Sequence, residues 1–306
     1  MCNYKHYAEQ VRLLVRLLPT IAAEKVFALK GGSAINLFYR DMPRLSVDID
    51  LVYLPVESRP ISLGNIDLAL KRAMNFFARS NRNVQFQRIA GGGNLDTRIM
   101  AISGNAKVKI EISPVMRGTV LPPGLLKVTD TVEETFGFAE AQVVSFEDLY
   151  GGKLHAALDR QHPRDLYDIR LLYENEGISD DLFRVFMAYV SSSNRPPHEL
   201  LSPLPLPIKK LYMEEFSGMT RERITQPELE AVRTHLFTDI RKRLTGDIAA
   251  FLFSLHDTEP DFELIGLPEA LYLPAVQWKL LNLRKLRAEN PKKHAQQRAM
   301  LETLFI

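Results

Sequence analysis

Two aspartates stand at alternate positions in the segment Ser46-Val47-Asp48-Ile49-Asp50-Leu51. On a β-strand successive side chains take opposite faces, so Asp48 and Asp50 point one way while Val47, Ile49 and Leu51 point into a core. Two residues of rise put the carboxylates roughly 7 Å apart. Such a pair can share a hard divalent cation, and Mg²⁺ favours one or two protein carboxylates completed by substrate phosphate oxygens. The other reading is an amphipathic strand with a solvated acidic face, although aspartate is depleted in strands and two on one face need a reason. Upstream, Gly31-Gly32-Ser33 follows a short apolar run and precedes a helical pattern. A glycine turn entering a helix presents backbone N–H groups, here with the Ser33 hydroxyl, in a geometry that holds triphosphate oxygens. The same turn is also an ordinary tight connection. It is not a P-loop, because no Gly-Lys-Ser/Thr follows at the required spacing.

A second extended run, Lys107-Val-Lys109-Ile-Glu111-Ile112, carries Lys107, Lys109 and Glu111 on one face and apolar residues on the other. Beside the Asp48/Asp50 strand, Glu111 would complete a three-carboxylate metal site. Taken alone, the run reads equally as a strand with a polar outer face.

These residues need elements to position them. Helical spacing over 7–18 precedes a strand at 26–29, and Ser33 is suited to cap a helix running to Tyr39. The alternation at 46–54 predicts a strand and 66–79 a helix. Strands at 84–89, 98–103 and 107–113 follow, the last two joined by a Gly104-Asn105 hairpin. From Ser145 the pattern turns helical. Ser145 with Asp148 makes a capping box for a helix to Leu158, Pro163 opens the next helix and Gly177 ends it. The Ser- and Pro-rich 191–207 predicts a loop, Thr225 caps a helix with Pro227 in its first turn, and two closing helices bracket Asn290-Pro291. The predicted fold class is α/β, with an N-terminal mixed sheet and helices over 1–144 and a mainly α-helical C-terminal domain over 145–306.

Gly31-Gly32-Ser33, a helix, and then Arg44-Leu-Ser46-Val-Asp48-Ile-Asp50-Leu-Val resembles the signature of the nucleotidyltransferase superfamily, in the form found in AbiEii toxins of bacterial toxin–antitoxin systems. Lys109-Ile-Glu111 resembles the family's second motif. Asp148-Leu-Tyr-Gly-Gly-Lys153-Leu-His-Ala-Ala-Leu-Asp-Arg160, followed by Arg164-Asp165-Leu-Tyr-Asp168, resembles its later helical motifs, and Gln277-Trp278-Lys279-Leu-Leu-Asn282 is similar too. The resemblance implies a nucleotidyltransferase-fold N-terminal domain and a helical domain closing a basic cleft over it. It implies transfer of a nucleoside monophosphate from an NTP to a hydroxyl with release of pyrophosphate. Asp48, Asp50 and Glu111 would hold two Mg²⁺ ions. They would be catalytic together with Lys153 and Asp165, while Gly32, Ser33, Lys109, Lys153 and Arg160 would bind the nucleotide. The implied acceptor is RNA, above all the tRNA 3′ end, with growth arrest as the outcome. A cognate antitoxin would restrain the enzyme, with or without direct binding.

Lys153 and Arg160 are two helical turns apart and share a face. Lys153 could meet phosphate as a point charge and Arg160 bidentately. Arg164 and Asp168 are spaced i,i+4, and Asp165 and Asp168 i,i+3. Such pairs also simply stabilise a helix by about 0.3–0.5 kcal/mol, and Asp168 could serve the site or orient Arg164. His155 and His162 lack the partners a zinc site needs. His162, before Pro163, reads as a loop residue, and Trp278 as core packing.

The 306 residues are 46% hydrophobic and 25% charged, which excludes global disorder. No run approaches the ~18 apolar residues of a membrane helix, and the charged N-terminal stretch without a small-residue cleavage site predicts no signal peptide. The single cysteine, Cys2, excludes an internal disulfide and a cysteine-based zinc cluster. A cytoplasmic protein without membrane contact is expected. The net charge is only +2, but Arg241-Lys242-Arg243 and Lys279, Arg284, Lys285, Arg287, Lys292, Lys293 and Arg298 concentrate in one half of the chain. That concentration fits a polyanion partner or a solvated face. Two rivals accompany the RNA reading: a nucleotidyltransferase acting on a small molecule or protein hydroxyl, and a non-catalytic nucleotide- or RNA-binding module.

Overall fold

The structure is a computed structural model that describes residues 2–81, 83–89 and 98–305. The chain divides into two compact units, residues 1–145 and 146–306.

The first unit contains α1 (Cys2–Ala22), β1 (Phe27–Lys30), α2 (Gly31–Ala34) with a π-helical turn at Ile35–Tyr39, β2 (Asp48–Tyr53) and α3 (Arg59–Ser80). It continues through β3 (Gln85–Ile89), β4 (Arg98–Ser103), β5 (Ala106–Arg117), β6 (Gly124–Lys127), α4 (Asp130–Phe136) and β7 (Glu140–Val143). The strands form one mixed sheet in the order β3-β4-β5-β2-β1-β7-β6. β1 runs antiparallel to β2 and parallel to β7, while β2 and β5 are parallel. Alternation places Ile49, Leu51, Ile110 and Ile112 in the core, together with the α1 residues Val11, Leu14 and Leu18 at helical spacing. The hairpin forms where Gly104-Asn105 predicts it: Ser103 pairs with Ala106, and Gly104 takes φ +58°. The helix expected over 66–79 starts earlier, at Arg59, because Pro60 in the first turn is already set for helix entry. β6, α4 and β7 have no strong periodic signature, and the two strands, four residues each, exist by pairing with each other and with β1.

The second unit comprises α5 (Phe146–Asp159), α6 (Pro163–Asn175), α7 (Asp180–Ser191), α8 (Pro197–Leu201), α9 (Lys209–Glu215), α10 (Gln226–Arg243) and α11 (Gly246–His256). Two 3-10 turns (Phe262–Ile265, Pro268–Tyr272) lead to α12 (Pro274–Glu289) and α13 (Pro291–Glu302). Thr225 and Glu228 form a capping box on α10, and the Asn290 side chain accepts the Lys293 N–H at the start of α13. Gly177, at φ +72°, donates to the Leu172 carbonyl and stops α6. Gly151 and Gly152 give α5 a flat face against the Tyr189 ring of α7, which would lie 3.2 and 3.3 Å from added Cβ atoms. The Tyr189 hydroxyl donates to buried Asp148 at 3.0 Å.

Two expectations change here. The segment 191–207 is not all loop: α8 forms within it, with Pro197 opening the turn. Trp278 is 48% exposed rather than core, because α12 buries Ala275, Val276, Lys279, Leu280 and Leu283 on its other side. Among the described residues no helix is long and apolar enough to cross a membrane.

Candidate active site

Strand register assembles the polar face of the sheet. Lys30 on β1 pairs with Asp50 on β2, Asp50 with Glu111 on β5, and Glu111 with Arg98 on β4. Paired residues share a face, so four charged side chains form one row across four strands. The next row places Asp48 beside Lys109. The adjacency that would bring Glu111 to the aspartates is therefore present. The Glu111 carboxylate, however, is occupied: Arg98 Nε lies 2.7 Å from one oxygen and Lys109 Nζ 2.8 Å from the other. Burial pushes the Glu111 carboxyl up, but hydrogen bonds from Lys109 and Arg98 outweigh it and hold it below the usual carboxylate range. Lys109 is raised by its bond to Glu111, against burial and with help from Asp48. Lys30 is lowered, because burial outweighs the attraction of Asp50 and Glu111. Sequence reasoning passed over Lys30; its signal was a lysine ending an apolar strand immediately before Gly31-Gly32.

The glycine turn is built against this row. Gly31 has φ +75°, and a Cβ there would sit 2.6 Å from Asp50 Oδ2; at Gly32 it would meet Arg44 Nη2 at 2.6 Å. At Gly31 the positive φ and the close Asp50 side chain both call for glycine, while at Gly32 the neighbour is the flexible end of Arg44. Ser33 departs from expectation. It does not cap a helix: α2 begins at Gly31, and the buried Ser33 hydroxyl donates to the Asp48 carbonyl and lies 3.0 Å from Ser46 Oγ. A hydroxyl so placed braces β2 from inside. Asn36 Nδ2 donates to the Gly32 carbonyl at 2.6 Å, tying the turn down from the other side.

The donor set of Asp48 and Asp50 is hard oxygen, which suits Mg²⁺ shared with phosphates. Among the described residues no three His, Cys, Asp or Glu side chains are arranged as a ready-made cage.

In the helical unit, the Lys153 ammonium lies between Asp165 (3.0 Å) and Asp168 (2.9 Å), and all three are buried. Arg160 clamps Asp165 with two bonds, 2.6 and 3.0 Å, while its side chain stays 63% exposed. Burial alone would raise the Asp165 carboxyl; Lys153 and Arg160 overcome it and hold the group far below the usual range. Lys153, expected to reach phosphate, thus directs its charge at two carboxylates. Asp168 serves Lys153, and Arg164 reaches Glu215 at 3.6 Å. His162 is not mere loop: it caps α6, its Nδ1 accepting the Arg164 N–H and its Nε2 lying 3.2 Å from Glu215. That arrangement puts the proton on Nε2. Burial and Arg164 lower its pKa.

Residues 12–282 match the family described as nucleotidyl transferase AbiEii toxin, type IV toxin–antitoxin system. This chain belongs to the AbiEii family. The family implies a nucleotide substrate and an antitoxin. Among solved structures the chain is similar to MenT4, a nucleotidyltransferase toxin from Mycobacterium tuberculosis, at 15% identity and a TM-score of 0.57, covering 90% of this chain and 93% of that one. At that identity the likeness is one of fold. No curated protein matches.

The basic surface of this AbiEii member is smaller than its composition suggests. Lys279 is buried, donates to the Arg195 carbonyl at 2.6 Å and is pushed down to about 8 by burial. Arg298 stacks on Phe253 and pairs with Asp257 and Glu302. Arg241, Lys242, Lys285, Lys292 and Lys293 are exposed.

Proposed function

We propose that this AbiEii-family chain is a cytoplasmic enzyme that transfers a nucleoside monophosphate from an NTP to an RNA acceptor, the 3′ end of tRNA. The observation that carries the reading is the charged row Lys30–Asp50–Glu111–Arg98, with Asp48 one row on, beneath a glycine turn packed against Asp50. In the reaction the acceptor hydroxyl attacks the α-phosphorus, its proton leaves toward the carboxylate pair, and the bond to the β-phosphate breaks to release pyrophosphate. Asp48, Asp50 and Glu111 would hold Mg²⁺, which when bound neutralises the triphosphate and activates the attacking oxygen. Lys109 and Arg98 are partly exposed and can exchange Glu111 for phosphate oxygens, which frees the third carboxylate. Lys30 stands beside Asp50 and attracts its carboxylate, and Gly32 would meet a phosphate alongside the Arg44 guanidinium. In the helical unit Arg160 meets phosphate through its exposed guanidinium, and Lys153 and Asp165 set its position.

The exposed Arg241, Lys242, Lys285, Lys292 and Lys293 support a polyanionic acceptor over a small molecule or protein. A cognate antitoxin restrains the activity in the cell. The test is labelled-NTP incorporation with Mg²⁺ and total RNA, followed by sequencing of RNA 3′ ends. Asp48→Ala and Asp50→Ala are expected to abolish incorporation while the protein still melts cooperatively, Asp50→Ala at a somewhat lower temperature because it takes a compensating charge from Lys30. Full activity in either variant overturns the metal assignment. Unchanged tRNA ends alongside a labelled protein or small molecule overturn the acceptor.

A further inference from the structure

The helical unit also carries a cavity of about 540 Å³, within the range of small-ligand sites. Its walls come from the turn after α5, the chain before α8, α8 itself, the 202–206 segment, the end of α10, and α13 with the turn that follows it. One wall is held under strain. Gln161 is buried and takes φ +49°, a left-handed conformation that residues with a Cβ rarely adopt. Its amide explains the choice: Nε2 donates to the Leu204 carbonyl at 2.8 Å, and Oε1 accepts the Leu206 N–H at 2.8 Å and Arg233 Nη1 at 3.3 Å. Arg233 also donates to the Leu206 carbonyl at 2.6 Å. The segment is therefore pinned, and it leaves Leu204 82% exposed on the cavity wall. The pinned backbone and the exposed Leu204 side chain give the cavity a preformed apolar wall.

The same cavity presents two guanidinium groups. Arg195 pairs with Asp159 at 2.9 Å. Arg241 donates to the Thr303 carbonyl at 3.1 Å, and no carboxylate among the described residues pairs with it. His198 is nearly buried and kept neutral by that burial, so its ring can serve a polar edge without adding charge.

We propose that this cavity binds one nucleotide of a single-stranded RNA, with phosphate on Arg195 and Arg241 and base against Leu204 and Met300. The proposal rests on the RNA-acceptor reading above. Single strands are held without sequence readout by cations along the backbone and apolar contact to the base faces, a contact aromatic rings make in other proteins and Leu204 and Met300 would make here. Glu199 also lines the cavity, and its carboxylate can accept from the amino edge of a base.

The experiment titrates the full chain into a short fluorescent single-stranded RNA and reads anisotropy at two salt concentrations. Arg241→Glu and Leu204→Asp are each expected to weaken binding about tenfold. Arg241→Glu should also lower the slope of log affinity against log salt by about 1. Arg184→Glu, the same charge change on α7 outside the cavity, should leave affinity unaltered. Both cavity side chains are exposed, so thermal melting should not move. Independently, RNA bearing 4-thiouridine should crosslink to Leu204 or Met300 in the unsubstituted protein. RNA binding that survives both cavity variants, with crosslinks elsewhere, overturns the cavity proposal and leaves the RNA reading standing. No RNA binding by the unsubstituted protein overturns both. Loss of affinity in the variants for a polyglutamate peptide but not for RNA transfers the cavity to a protein partner and overturns the nucleotide assignment.

Discussion

The two units each set carboxylate against cations, at different depths. In the sheet, Glu111 lies between Arg98 and Lys109 with all three partly in water. In the helical unit, Lys153, Asp165 and Asp168 are almost fully excluded from it. Exposed pairs contribute up to about 1 kcal/mol and exchange partners readily. Buried charges must keep their partners, because an uncompensated charge in a low-dielectric interior is expensive. The sheet contacts are thus the ones a charged ligand can displace at low cost. The helical network is a fixed frame that holds Arg160.

The largest expected effect breaks that frame. Lys153→Met takes the shared ammonium from two buried carboxylates, leaving Asp165 to Arg160, and should cost about 3–5 kcal/mol of stability, whereas Lys109→Met should cost less than about 1 kcal/mol. Urea unfolding of both variants measures the contrast, and equal losses would dissolve the distinction between the two networks. Next comes Gly31→Ala, which forces an unfavourable φ and drives a Cβ toward Asp50 Oδ2. A loss of about 1–2 kcal/mol is expected, with a steep fall in transfer. Gly64→Ala, in α3 with nothing near the added methyl, should be neutral or slightly stabilising.

A third test uses pH. Because Asp165 is held far below ordinary carboxylates, the unfolded chain takes up its proton first as pH falls. The stability it contributes is complete above about pH 4 and is lost as pH drops through the folded value. Urea midpoints measured downward from pH 5 should therefore fall less steeply in Asp165→Asn than in the unsubstituted chain. Glu111→Gln should flatten that slope only slightly, since solvent screens its partners. A pH effect of the opposite sign belongs to Lys279, lowered to about 8. Between that value and its ordinary pKa near 10.4 the unfolded chain holds more protons, so stability should rise with pH across this window. Lys279→Met should remove the rise, which urea midpoints measured from about pH 7 to 10 would show.

Local chemistry alone makes much of this chain legible. Asp48 and Asp50 face away from Ile49 and Leu51 because the strand period is two; Gly104-Asn105 turns the hairpin because glycine accepts positive φ; Thr225 with Glu228 starts α10 because their side chains satisfy its first N–H groups. Each depends on atoms within a few residues. Tertiary structure decided what depends on pairing across the chain. It aligned Lys30, Asp50, Glu111 and Arg98 in one row, turned the Ser33 hydroxyl inward to the Asp48 carbonyl, enclosed Lys153 between two carboxylates, and exchanged Trp278 for Lys279 in the interior. Side-chain type and spacing set which faces an element has. Only the packing of distant elements determines which face meets which, and hence which charges are compensated and which stay open to a ligand.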